Sequence, residues 1–337
     1  MFVPVVDKDQ KPLMPTTPAR ARKWIASGKA TPFWKKGVFC VRLNVPPSDT
    51  KTQEIVIGID PGSKREAFTV KSKAHTFLNV LADAVTWVED RMVSRKKLRV
   101  ARRRRNTPYR ICRSNRHVNL KFVPPSTKAR WQLKVRVVNW LRKMFPVVVF
   151  VVEDMKTKTT GMRKWDVSFG PLQTGKNWFY ERLQKWGLLE LKRGYETKEL
   201  REVAGLKKTH AKMSETFDAH NVDTWVLANW KVGGHTEPDN REIVRVIPLN
   251  MIRRQLYYVQ PKKGGKRGRF GGMMSFGFKR GSVVDHVKYG ICYIGGNAKG
   301  RVTLHSQKTG ERISRHAKVS DTRFRAFSSF RSYVVKA

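Results

Sequence analysis

Asp60, Glu153 and Asp223 are carboxylates in a chain that carries few of them, for 70 Lys+Arg stand against 26 Asp+Glu. Asp60 closes the apolar run Ile55-Val56-Ile57-Gly58-Ile59, and Glu153 closes a second run, Val147 to Val152. Asp223 follows His220 by three residues in a stretch with helical patterning, so the two side chains project from nearly the same face. Carboxylates gathered from two strand ends and one helix suit hydrolysis of a phosphodiester with two metal ions. Hard Mg²⁺ takes oxygen ligands and keeps several waters, so a few carboxylates and a substrate phosphate complete its shell. Two such ions about 3.5–4 Å apart clamp the attacking and leaving oxygens. His220 would orient the attacking water or serve as its general base.

Each residue alone also has a plainer reading. An Asp before Pro61-Gly62 forms turns well, Glu153 could cap a helix or face solvent, and a lone H-x-x-D is common. Asp154 and Asp218 are neighbours that would take over after a shift of register. The combination says more than its parts. Strand–Asp, antiparallel meander, helix, strand–Glu, helix–Asp is the RNase H-like order, and it predicts that residues 60, 153 and 223 converge.

The elements that must position them follow from periodicity. The run 55–59 reads as a buried strand, with Ala67–Val70 and Thr76–Val80 as the rest of a meander. Trp131, Val135, Val138, Leu141 and Phe145 fall at helical steps over 126–145, and Pro146 ends the run. Val147–Val152 is a second buried strand. The apolar side chains Trp178, Phe179, Leu183 and Trp186 predict a helix over 177–191, and another is predicted over 215–229. Before residue 50, short strands flank a basic helix at 19–27. Beyond 240 the pattern becomes short strands and glycines, with strands expected at 283–289, 290–294 and 301–305 and a basic loop at 262–269.

A formal charge of +44 on 337 residues would make the compact state repel itself without a polyanion to neutralise it. Nucleic acid is that polyanion, since each neutralised phosphate releases counterions. Charge names the partner and not the activity, because a structural RNA-binding protein would share it. Between 91 and 110 lie ten basic residues and no acidic one, an arrangement that frays unless phosphates face it. The first fifteen residues hold no apolar signal core, and the longest apolar run is far too short to span a bilayer. Cys40, Cys112 and Cys292 are three isolated cysteines with no C-x-x-C pair, which disfavours a zinc ribbon and suits a reducing cytoplasm.

These residues resemble a known family. Ile57-Gly58-Ile59-Asp60-Pro61-Gly62-Ser63-Lys64 looks like the first RuvC motif, Val151-Val152-Glu153-Asp154-Met155 like the second, and His220-Asn221-Val222-Asp223 like the third. The arginine-rich stretch resembles the bridge helix of RNA-guided effectors, and Pro12-Leu13-Met14-Pro15 looks like the signature of a PLMP domain. The set is similar to the transposon-encoded IscB/IsrB group. The 63 residues from Met155 to Phe217 contain one histidine, His210, and no His-Asn-His pattern, so the chain resembles the IsrB branch, which lacks the HNH nuclease.

The resemblance implies an α/β fold: an RNase H-like (RuvC) mixed sheet split by an Arg-rich bridge helix, with a small PLMP domain first and a mainly-β C-terminal region. Its parts would be a PLMP-like domain at 1–50, RuvC segments at 51–90, 118–155 and 215–245, the bridge helix at 91–117, a helical connector at 156–214 and a C-terminal region at 246–337. It further implies an RNA-guided endonuclease that nicks the displaced strand, with catalytic Asp60, Glu153, His220 and Asp223. The three carboxylates would hold two Mg²⁺, with Mn²⁺ as a substitute. Arg95, Arg99, Arg102, Arg103, Arg104 and Arg105 would grip an omega-type guide RNA. Lys279 and Arg280 would read a short motif beside a double-stranded DNA target. The implied protein is a monomer within a ribonucleoprotein, in the prokaryotic cytoplasm and at the nucleoid during action. Two readings remain beside it: a guide-independent RNase H-like or junction-resolving nuclease, and a non-catalytic RNA-binding protein.

Overall fold

The computed structural model describes residues 2–104, 123–155, 171–211, 213–250 and 274–335. Its centre is a seven-stranded mixed sheet. The meander β5 (Ile55–Asp60), β6 (Arg65–Lys71) and β7 (Thr76–Asp83) is antiparallel, while β8 (Val147–Asp154) lies parallel to β5 and β9 (Leu188–Arg193) parallel to β8. The strand order is β18-β10-β7-β6-β5-β8-β9, with β10 (Ile243–Pro248) parallel to β7 and β18 (Phe330–Val335) antiparallel to β10. Four of its strands, β5 to β8, stand where the sequence reading expects strands, and the meander is antiparallel as expected. The fold is mixed α/β with several sheets.

These central strands are buried on both faces, as continuous β-branched runs predict for strands sandwiched between helices. On one face Ile57, Ile59, Phe68, Phe150 and Val152 pack against Trp131, Val138 and Leu141 of α3 (Pro125–Arg142) and Phe179 and Leu183 of α4 (Pro171–Gln184). On the other, Val56, Val149 and Val151 meet Leu227 and Ala228 of α6 (Phe217–Val232). Ala67 and Leu81 meet Val222 and Trp225 of the same helix.

Helix α6 sits unusually close to β5. A Cβ built on Gly58 would lie 1.9 Å from the Thr224 carbonyl oxygen, so only glycine permits the approach. Polar contacts fix the docking. The buried Asn221 amide donates to the carbonyls of Phe68 and Val80, both at 3.2 Å, and the Trp225 indole donates to the Thr76 hydroxyl at 2.9 Å.

Before the central sheet lies a four-stranded sheet, order β2-β1-β4-β3, from β1 (Val3–Val6), β2 (Pro12–Thr16), β3 (Ala30–Lys35) and β4 (Val38–Leu43), with helix α1 at Pro18–Ala26. Lys36 and Gly37 both have positive φ, as a two-residue primed hairpin turn demands. That turn rests on β18, where the Ser332 hydroxyl donates to the Lys36 carbonyl at 2.6 Å. After the short pair β11 (Met274–Ser275) and β12 (Phe278–Lys279) comes a five-stranded sheet, order β16-β15-β14-β13-β17. Its strands are β13 (Ser282–His286), β14 (Gly290–Ala298), β15 (Arg301–Ser306), β16 (Arg312–Ala317) and β17 (Thr322–Phe327). Among the described residues no helix is long and apolar enough to cross a membrane.

Three expectations need correction. The helix predicted over 177–191 ends at Gln184, and the connector expected to be helical supplies strand β9. Gly187 is the cause, since a Cβ there would come within 2.4 Å of the Val148 carbonyl. It breaks the helix and lets Leu188 pair with Val149. The basic stretch is helical from Trp87, four residues before the expected start, because Val88 is buried in the core and Glu89 and Asp90 complement the helix N-terminus. The strand expected over 283–289 stops at His286, where a turn begins.

Gly58→Ala is therefore expected to destabilise the protein by about 1–3 kcal/mol through overpacking between β5 and α6. Urea denaturation checks this, and an unchanged midpoint would show that the helix rides easily on the sheet.

Candidate metal centre

The parallel pairing of β5 with β8 aligns Ile59 with Val152, so the next residues, Asp60 and Glu153, emerge side by side. Gly58 lies two residues before Asp60 and faces α6, which sets Asp223 against the same strand ends. One oxygen from each of Asp60, Glu153 and Asp223 lies within 4.8 Å of the others. The register is settled by the neighbours. Asp154 accepts from the Tyr180 hydroxyl at 2.8 Å and pairs with Lys176 at 2.8 Å, both on α4. Asp218 pairs with Arg241 at 3.6 Å. His220 sits half-buried in the first turns of α6 and is not a member of the three-carboxylate group.

Three acids this close repel one another and shed much of their hydration. Burial first, with Asp223 adding to it, pushes Asp60 up to about 6 against the pull of Lys208 and Lys134. Burial, then Asp60 and Asp223, push Glu153 up to about 7. Asp223 is only 2% exposed and ion-pairs with both Arg201 and Lys208. Arg201 belongs to α5 (Gly194–Val203) and Lys208 to the segment after it. Thr197, also on α5, lies against Glu153 and draws its carboxyl down, and its hydroxyl donates to the Arg193 carbonyl at 3.3 Å. Gly194 opens that helix beside the Glu153 carboxylate, where an added Cβ would stand 3.1 Å from Oε1. On the other side of the sheet Lys134 of α3 pairs with the buried Glu66 at 2.5 Å.

The donor set fits a hard divalent cation: three carboxylates, closely spaced, with unfavourable mutual charge that a cation relieves. Lys208, Arg201, Thr197 and Gly194 were not legible as site residues. Two cations among 70 Lys+Arg carry no signal in the sequence.

The nucleic-acid positions fare differently. Helix α2 (Trp87–Arg103) is anchored at its start by Val88 and then leaves the core. Arg95, Lys96, Lys97, Arg99 and Arg104 are exposed, and so are Met92, Val93 and Val100. The side chains of Arg102 and Arg103 lie outside the described residues, as do Arg105, Cys112 and the basic loop at 262–269. Lys279 is exposed at the end of β12 with its ammonium 5.5 Å from the Phe327 ring, and Arg280 is exposed beside it. Cys40 and Cys292 are buried free thiols, pushed up to about 12 and about 11 chiefly by burial.

The sequence model of the family described as RRXRR protein matches residues 3–173, just over half of the 337. No curated protein matches the chain. Among solved structures, the chain is similar to T. thermophilus RuvC in complex with a Holliday junction substrate, at 14% identity and a TM-score of 0.30, covering 54% of this chain and 98% of that one. A second Thermus thermophilus RuvC structure matches at 14% identity and a TM-score of 0.26, covering 52% of this chain and 90% of that one.

Unfolded carboxylates titrate near about 4, so between that value and the raised folded values the folded chain holds protons that the unfolded chain releases. Stability of the metal-free protein is therefore expected to fall as pH rises from about 4 to about 7. Glu153→Gln should flatten that fall and raise the melting temperature at pH 8 in chelator. A pH profile identical to wild type would mean that the carboxylates do not repel as placed.

Proposed function

The chain belongs to the RRXRR protein family, and we propose that it is a divalent-metal-dependent endodeoxyribonuclease of the RuvC type. We further infer that RNA guides it and that it nicks the displaced, non-target strand. The observation that carries the reading is the convergence of Asp60, Glu153 and Asp223 at the ends of two parallel strands and on one helix. Bound divalent ions supply the Lewis acidity that activates water and neutralises the leaving oxygen.

The chain's own residues do the rest. Asp60, Glu153 and Asp223 would hold the cations. Arg201 and Lys208 hold the Asp223 carboxylate in place through their ion pairs. Lys208, more than a third exposed beside Asp223, would be placed to meet a substrate phosphate. His220, three residues before Asp223 on α6, orients the attacking water or takes its proton.

Guidance by RNA is supported by α2, whose exposed arginines and lysines project from the core and whose sequence holds no acid past its first turn. Such a helix gains most by laying its guanidinium groups on phosphates. Lys279 and Arg280 are then the residues that read the motif beside the target. Among the described residues one three-carboxylate group is present, and the interval at 156–214, where the resemblance places HNH in the IscB branch, contributes β9, α5 and Lys208 around it. One centre gives one cut.

Ribonucleoprotein with Mg²⁺ should convert supercoiled target plasmid to open circles, and linear product at early times would overturn the nickase reading. Asp60→Ala should slow cutting by about 10³-fold or more, the scale of losing one stabiliser of transition-state charge, while guide-dependent DNA binding persists. Cutting by RNA-free protein would favour a guide-independent nuclease. Replacing Arg95 and Arg99 with Ala should lower the salt slope of guide binding by roughly 0.7–0.9 per lost phosphate contact, and an unaltered slope would return α2 to a solvated surface.

A further inference from the structure

At the end of the sheet opposite the carboxylates, two loops meet. One is the turn between β6 and β7, residues 72–75, and the other is the segment from Gly233 to Arg241 that joins α6 to β10. Lys71 pairs with Thr76 at this end, whereas Arg65 pairs with Asp83 at the Asp60 end. Several residues of strand, on the order of 15 Å at about 3.3 Å each, separate the two.

His75, His235 and Asp239 converge there, each offering one donor atom within 4.8 Å of the others. His75 Nδ1 stands 3.1 Å from Asp239 Oδ2. Two donors bound to one tetrahedral ion at about 2.0–2.1 Å stand roughly 3.3 Å apart, so the pair already has the spacing of two ligands. His235 Nε2 lies 2.6 Å from the Ala74 carbonyl, which accepts its proton and leaves Nδ1 as the lone pair. That is how metal-binding imidazoles are usually fixed, with one ring nitrogen on a backbone carbonyl and the other on the ion.

The frame around the three is over-determined. The Thr76 amide donates to both Asp239 oxygens, at 2.9 and 3.2 Å. Asn79 donates to the Asn240 carbonyl at 2.8 Å, Asn240 to the Thr76 carbonyl at 3.2 Å, and Asn229 to the His235 carbonyl at 2.9 Å. The buried Lys71 ammonium donates to the Gly233 carbonyl at 2.8 Å. Phe2 covers one side of the His75 ring, with centroids 4.5 Å apart. Among the described residues no Lys or Arg lies within ion-pair distance of Asp239, an uncommon state for an acid in a chain of net charge +44.

We propose that His75, His235 and Asp239 form a second metal site, for a borderline divalent ion of the Zn²⁺ class, distinct from the carboxylate centre. Two imidazoles and one carboxylate suit Zn²⁺ rather than Mg²⁺, which takes oxygen ligands. His75 is exposed, so water completes the shell. The ion ties the β6–β7 turn to the loop that leads α6 into β10. It acts as a clip on the far end of the helix that carries Asp223.

The test is zinc content and affinity, measured on the full chain after chelator treatment, reloading with Zn²⁺ and dialysis against excess Mg²⁺. Wild type and Asp60→Ala should both retain zinc, and His75→Gln and His235→Gln should each retain about one equivalent less. Loss of either imidazole should weaken that zinc by more than about 100-fold, beyond the 10–100-fold typical of losing an outer hydrogen-bond partner. Zn²⁺ should raise the melting temperature of wild type and not of the variants. Equal zinc in all four proteins would overturn the proposal and leave a hydrogen-bonded His–Asp clamp. Zinc lost in Asp60→Ala alone would assign it to the carboxylate centre instead. His75→Gln alters an exposed side chain, so circular dichroism of that variant separates loss of metal from loss of fold.

Discussion

Helix α6 can reach Asp60 only because β5 has no side chain where the helix crosses it. The Thr224 carbonyl occupies the space that a Cβ at Gly58 would need. From that contact the rest follows. Asn221 reaches over to two meander carbonyls, Trp225 finds Thr76, and Asp223 is carried to the strand ends where Asp60 and Glu153 stand. One extra methyl group would lift the helix and with it the third carboxylate. The position is structural in cause and chemical in effect.

Bringing three acids together costs free energy, and burial and mutual repulsion raise the proton affinity of Asp60 and Glu153. The chain offsets this locally, with Arg201 and Lys208 on Asp223 and Thr197 on Glu153. All three partners come from one stretch, α5 and the residues just after it. The same stretch begins with Gly194 against the Glu153 carboxylate, which a side chain there would crowd. The connector is thus part of the centre's electrostatics and not a spacer.

How much of this was readable depended on how local each signal was. Asp60 and Glu153 stood out because apolar strands rarely end in acids by chance in so basic a chain, and Asp223 because a helical pattern surrounds it. Strands β5 to β8 followed from those anchors and from the order of elements. Strand β9 did not, for Trp186, Leu188, Leu189 and Leu191 continue the apolar pattern of the preceding helix, and only Gly187 marks the change. Gly58 looked like a strand residue, and its need for a missing Cβ appears only once α6 is in place. Lys208 and Arg201 were hidden by abundance. His75 lies about 160 residues before His235, with nothing in either neighbourhood to suggest that a hairpin turn and a helix exit would meet.

The last strand of the chain has a mechanical consequence. β18 returns to the central sheet beside β10, so the five-stranded sheet is spliced between two adjacent strands of the core. Its exit, from β17 to β18, spans only Ser328 and Ser329. The Ser329 carbonyl accepts from the Leu249 amide at 2.9 Å, and the Ser328 amide donates to Gly281 at 3.3 Å. So short a stem couples the two sheets: with two residues between β17 and β18, a displacement of that edge of the lobe is felt at once at the strand beside β10.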